Sequence, residues 1–137
     1  MPVNNEKTCV LLQAGSSYEG KQGFSYQHGI SAESVGAVGL CMHMLNIPPG
    51  GRAKTHFHED HETAIYVLSG KSEMWYGEHL EHHMSCVPGD MIYIPAGVPH
   101  LPLNASMTEP CIAVLARTDP NEQESVVLRP DLDGLIP

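Results

Sequence analysis

The sequence predicts an all-β protein, a barrel or jelly roll. Three observations carry this reading. Turn formers are frequent, with 13 Gly and 11 Pro among 137 residues. Runs rich in Val, Ile and Tyr are short and close on Gly or Pro. No segment sustains an apolar period of 3.6 residues, and no internal repeat or low-complexity tract interrupts the pattern. A chain of this length holds one core and has no room for a second.

The elements follow in order. Residues 1–34 form a polar lead-in with one short apolar run, Cys9 to Leu12. "VGAVGLCMHMLNI", Val35 to Ile47, is mostly apolar and stops at "PPGG"; its length and glycines fit a strand better than a helix. "TAIYVLSG", residues 63–70, is rich in β-formers and ends on Gly70. "KSEMWYGEHLEHHMSCVPGD" alternates weakly and reads as a hairpin that turns at Gly77. "MIYIP" is a strand stopped by Pro95, and "AGVPHLPLNA" carries prolines that bar a helix. "EPCIAVLAR" is the last clear strand. The acidic tail has one apolar knot, Val126 to Leu128. Met42, Met44 and Met91 read as core filler. The expected division is a lead-in at 1–34, serving as a dimer arm, a barrel at 35–117, and a tail at 118–137 that packs on the barrel or on a partner.

Charge and composition exclude several classes. The formal charge is −9, and no basic patch offsets it, so nucleic acid and anionic membranes are not expected partners. No stretch reaches the roughly 18 apolar residues of a spanning helix. "MPVNNEKTCVLLQAG" lacks the charged start and apolar run of a signal peptide, which makes the cytoplasm the expected compartment. Cys9, Cys41, Cys86 and Cys111 are widely spaced and read as free, buried thiols. No nucleophile elbow, Walker loop or dinucleotide fingerprint is present, so a nucleophilic hydrolase is unsupported.

The densest chemistry is "HFHEDHE", residues 56–62. On a strand, residues i and i+2 face the same way, so His56 and His58 can aim into one cavity. Two converging imidazoles suit a metal ion at about 2.0–2.2 Å. A surface turn of solvated histidines is the competing reading. His79, His82 and His83 fall near a hairpin tip and read as a solvated face; His28 and His43 are isolated and read as structural.

A second stretch, "GDMIYIPAGVPHLPLN", sets Gly89, Pro95, Gly97, His100 and Asn104 in a fixed frame. Together the two stretches resemble the signature motifs of the cupin superfamily, G-x5-H-x-H-x3/4-E-x6-G and G-x5-P-x-G-x2-H-x3-N. The second is matched throughout, and the first at Gly50, His56, His58 and Gly70. The resemblance covers residues 36–116 and is close to small single-domain bacterial cupins. It implies a double-stranded β-helix with a pocket at one end, a homodimer, and a divalent transition metal (Fe, Mn, Ni, Zn or Cu) on His56, His58 and His100. Pro95 and Gly97 would set the turn that aims His100 inward, Gly50 and Gly70 would supply turns, and Asn104 would fix a turn through its side chain.

The acid of the first motif is irregular. Counting from His58 reaches Glu62; counting back from Gly70 reaches Thr63. Period two places Thr63, Ile65 and Val67 on one face and Glu62 with Ala64 and Tyr66 on the other. A bulge at the strand start would turn Glu62 inward as a fourth ligand. The alternatives are a three-histidine site completed by water, or His61, which shares the parity of Thr63. The implied function is a metal-dependent enzyme on a small oxygen-rich substrate such as a diketone or hydroxy-acid. Iron would favour oxidative cleavage; Mn, Ni or Zn would favour isomerisation or decarboxylation. The rival is a non-catalytic module that binds a sugar or organic acid.

Overall fold

The structure, a computed structural model, describes residues 7–13, 17–19, 21–123 and 125–137, with residues 17–19 described by their backbone. Its strands are β1 (Ser17–Glu19), β2 (Ser25–Ile30), β3 (Cys41–Ile47), β4 (His56–Phe57), β5 (Thr63–Ser69), β6 (Ser72–Tyr76), β7 (His82–Cys86), β8 (Met91–Ile94), β9 (His100–Leu103), β10 (Cys111–Arg117) and β11 (Val127–Leu128). Two single-turn helices, α1 (Ala32–Val35) and α2 (Pro130–Asp133), complete it. The strands form two antiparallel sheets that face each other, ordered β1-β2-β3-β10-β5-β8 and β11-β4-β9-β6-β7. This is the expected all-β jelly roll. None of the helices of the described residues is long and apolar enough to cross a membrane.

Alternation builds the core. Along β3, Cys41, His43, Leu45 and Ile47 turn inward, and along β10 Cys111, Ala113, Leu115 and Arg117 do the same. Phe24, Tyr26, Leu45, Ile47, Val67 and Leu115 fill the space between the sheets. A smaller cluster, Leu80, Leu101 and Leu132, seals the outside of the second sheet.

Segments on both sides of the expected barrel join its sheets. Residues 17–30, part of the expected lead-in, supply β1 and β2 to the larger sheet, and Phe24 and Tyr26 enter the core. The tail adds β11, whose Val127 and Leu128 pair with Phe57 and His56 of β4. Asp133 accepts the backbone N–H of Thr55 at 2.8 Å, and Arg52 donates to the carbonyl of Asp133 at 2.7 Å. The expected hairpin is present as β6 and β7, turning at Gly77.

Two expectations of burial are corrected. Met42 and Met91 are exposed, the latter by 83%, because both point to the outer face of the first sheet. Apolar residues occupy both faces of these strands, so apolar character alone misassigns the inward one. None of the four cysteines is in a disulfide, but Cys9 is exposed rather than buried.

Candidate metal centre

The site is built from a strand pair and a turn. His56 on β4 lies directly opposite His100 on β9. His58 follows two residues later on the same face as His56. The turn before β9 is stitched to this pair: the Gly97 N–H donates to the carbonyl of His58 at 2.7 Å. Gly97 sits at φ +82°, a region that resists a side chain. The far end of β9 is held by Asn104, whose amide donates to the carbonyls of Ile47, Pro48 and Glu109 while its oxygen accepts from Ser106.

His56, His58 and His100 are 2%, 4% and 2% exposed. Their ring centroids stand 4.3 to 5.1 Å apart, and one ligating atom of each lies within 4.8 Å of the others. Each ring meets a backbone carbonyl through Nδ1: His56 with Lys54 at 2.6 Å, His100 with Val98 at 3.0 Å, His58 with Ser125 at 3.4 Å. A carbonyl only accepts, so these contacts put the proton on Nδ1 and leave Nε2 with its lone pair. That is how a metal-ligating imidazole is oriented. Two nitrogens bound to one ion at about 2.1 Å stand at most about 4.2 Å apart, so the three rings lie near ligating distance of a common point. The donor set therefore fits a divalent transition ion.

The structure does not bring Glu62 to this cluster. Its side chain is exposed and its carboxylate accepts a hydrogen bond from the Tyr93 hydroxyl, which pushes the Tyr93 phenol pKa up. The bulge needed to turn it inward is absent from the strand start, where Thr63 to Tyr66 pair regularly with Ile94 to Met91. The register shift in this region lies between Ile112 and Ala113, at the other end of the pairing. His61 is buried, stacks beside His58 with centroids 4.5 Å apart, and has Nδ1 3.7 Å from an Asp119 oxygen. Among the described residues, the convergent set is the three histidines.

The histidines open on a cavity of about 60 Å³ between the sheets. Its wall is mostly apolar, with Phe24, Leu45, Ile65, Val67 and Leu115, and its polar members include Gln22, Tyr26, Thr63 and Arg117. Gln22 and Tyr26 are hydrogen-bonded to each other. Arg117 was not singled out from the sequence. Its parity with Leu115 on β10 is the signal that marks it as inward. The remaining histidines lie elsewhere: His83 pairs with Glu73 at 2.7 Å, His82 packs on Tyr76, and His28 meets Glu122 at 3.1 Å.

Comparison with known proteins agrees with this architecture. A family model described as a cupin domain matches residues 43–116. No curated protein matches the sequence. Similar solved structures include a protein named as a sugar phosphate isomerase from Acidithiobacillus ferrooxidans, 24% identical, covering 75% of this chain and 66% of that one at a TM-score of 0.60. A protein with a double-stranded β-helix domain from Klebsiella pneumoniae is 18% identical, covering 83% and 89% at 0.60. An oxalate decarboxylase of Bacillus subtilis, described with Mn(II) centres, is 19% identical, covering 85% and 30% at 0.65. This chain thus spans less than two thirds of the isomerase and under a third of the decarboxylase.

Proposed function

The chain belongs to the cupin family, and on that premise we propose that it is a metal-dependent enzyme acting on a small oxygen-rich organic molecule. The observation that carries this is the set of three buried imidazoles, each tied at Nδ1 to a carbonyl and presenting Nε2 to one cavity. His56, His58 and His100 would hold one ion of Fe, Mn, Ni, Zn or Cu; an all-imidazole set does not choose among them. Bound there, the ion would supply a Lewis acid, or a redox centre if it is iron, manganese or copper.

The chain's own residues do the rest. The carbonyls of Lys54, Val98 and Ser125 keep the three rings in one tautomer. Phe24, Ile65, Val67 and Leu115 give the cavity an apolar wall, and its volume of about 60 Å³ limits the molecule it admits to a few non-hydrogen atoms. Glu62 stays on the outer face, so the site has more open positions than a four-ligand one. The solved relatives named for isomerisation and decarboxylation of small oxygenated molecules are consistent with this chemistry, as is manganese, which one of them holds.

A non-catalytic binding module is the second reading, favoured by the largely apolar wall. Metal analysis of the purified protein separates the two. We expect about one transition ion per chain, together with turnover of a member of a panel of diketones, hydroxy-acids, oxalate and sugar phosphates, followed by oxygen uptake and product analysis. Metal-free protein that is merely stabilised by one of these molecules would support the module instead.

A further inference from the structure

We infer that Thr63 is the side chain of the cavity wall that reads the bound molecule by a hydrogen bond, and that this molecule carries an oxygen beyond those held at the metal centre. Resting on the reading of the cavity as a substrate site, Thr63 narrows the substrate class to small, multiply oxygenated compounds such as a hydroxy-acid or a hydroxyketone. Thr63 opens β5, which lies between β8 and β10, and it pairs with Ile94 on one side and Arg117 on the other. A residue paired on both sides has its side-chain direction fixed, and β-branching restricts χ1 further. The side chain lines the cavity with Ile65 and Val67 and is 5% exposed. It stands at the histidine end. His61, two residues earlier, stacks beside His58 with centroids 4.5 Å apart, and the turn after Ile94 bonds through Gly97 to the His58 carbonyl.

The hydroxyl of Thr63 has no hydrogen-bond partner among the described residues. Other polar groups of the wall are engaged with the chain itself: Gln22 donates to Tyr26, Glu73 meets His83, and Arg117 donates to the carbonyls of Asn121 and Glu122. Burying a hydroxyl without a partner costs free energy, and most buried polar side chains have one. Packing does not account for this hydroxyl. Val has nearly the same shape, would match the Ile65 and Val67 that follow on the inward face, and brings no polar atom to satisfy. A hydroxyl both donates and accepts, so it suits the hydroxyl or carbonyl oxygen of a small molecule. A site built to hydrogen-bond such an oxygen discriminates against molecules that lack it.

The test loads the full-length protein with cobalt(II) as a reporter ion and titrates it with glycolate and with hydroxyacetone, followed by calorimetry and by the cobalt absorption. Thr63→Val removes the hydroxyl alone and should weaken binding of the probes about three- to tenfold, the loss of one hydrogen bond, with cobalt affinity unchanged. Thr63→Ser keeps the hydroxyl and should bind them like the wild type. A packing role gives the opposite order, since Ser loses a buried methyl and Val does not. Thr63→Val that binds both probes as the wild type does, or Thr63→Ser that is the weaker of the two variants, overturns the inference, as does cobalt-loaded wild type that binds neither probe. Wild-type protein that takes up no cobalt sinks the metal reading alone. Thermal shift of the same three proteins with the two probes then decides. Stabilisation of the wild type and Thr63→Ser but not of Thr63→Val upholds Thr63 as the reader, and equal shifts, or none, overturn it.

Discussion

His56, His58 and His100 each have Nδ1 on a backbone carbonyl and line the cavity. Losing a group that only orients a ligand typically costs 10–100-fold in metal affinity, so losing a ligand itself should cost more. His100→Ala is therefore expected to lower metal affinity by more than about 100-fold, measured by titration with a chromogenic chelator. Glu62→Gln is expected to leave metal content unchanged, because its carboxylate faces Tyr93 on the outside. Metal loss in that variant would return Glu62 to the ligand set. The thiols provide an independent check on burial. Burial pushes the thiols of Cys86 and Cys111 up, which leaves them with less thiolate at pH 8, and Cys41 is enclosed as well. One equivalent of a thiol reagent should react with the folded protein, at Cys9, and four after unfolding.

β4 is two residues long and could not persist alone; it stands because β9 flanks it on one side and β11 on the other. The tail thus holds the ligand strand, through the Leu128–His56 pairing, the Asp133–Thr55 bond and buried Leu132. Leu132→Ala should cost about 2–4 kcal/mol by denaturant unfolding, and removal of residues from Thr118 onward should also weaken metal binding. A truncated form with unchanged melting temperature would contradict this. Much of this organisation was legible in advance. The frame of Gly89, Pro95, Gly97, His100 and Asn104 specifies one turn, and period two grouped Thr63, Ile65 and Val67 on one face, which the structure turns inward. β2 and β11 were not legible. "SYQHGI" is polar and pairs only at its ends, and two residues of β11 cannot show an alternation. Arg117 escaped because a charge at the end of an apolar run resembles a strand stop; its parity with Leu115 and its register with Thr63 show that it turns in.

At the scale of the whole molecule, the outer face of the first sheet is apolar. Met42, Ala116, Ala64 and Tyr93 form one row across four strands, and Met44, Val114, Tyr66 and Met91 the next. No charge interrupts either row, although the chain carries −9. With a net charge of −9, an uncharged face is one that two copies can share without repulsion, and a two-fold pairing needs a surface complementary to itself. We expect a second copy to cover this face. Sedimentation should give about twice 14.9 kDa, and the double variant Tyr66→Lys, Met91→Lys should run as a monomer; a wild-type monomer at micromolar concentration would count against the pairing. The carbonyl that holds His58 belongs to Ser125, 25 residues beyond His100. During synthesis at roughly 5–20 residues per second, that gap lasts about 1–5 s. For that interval His58 lacks the carbonyl that its ring meets in the folded chain, so the trio of imidazoles becomes ordered late in the protein's birth.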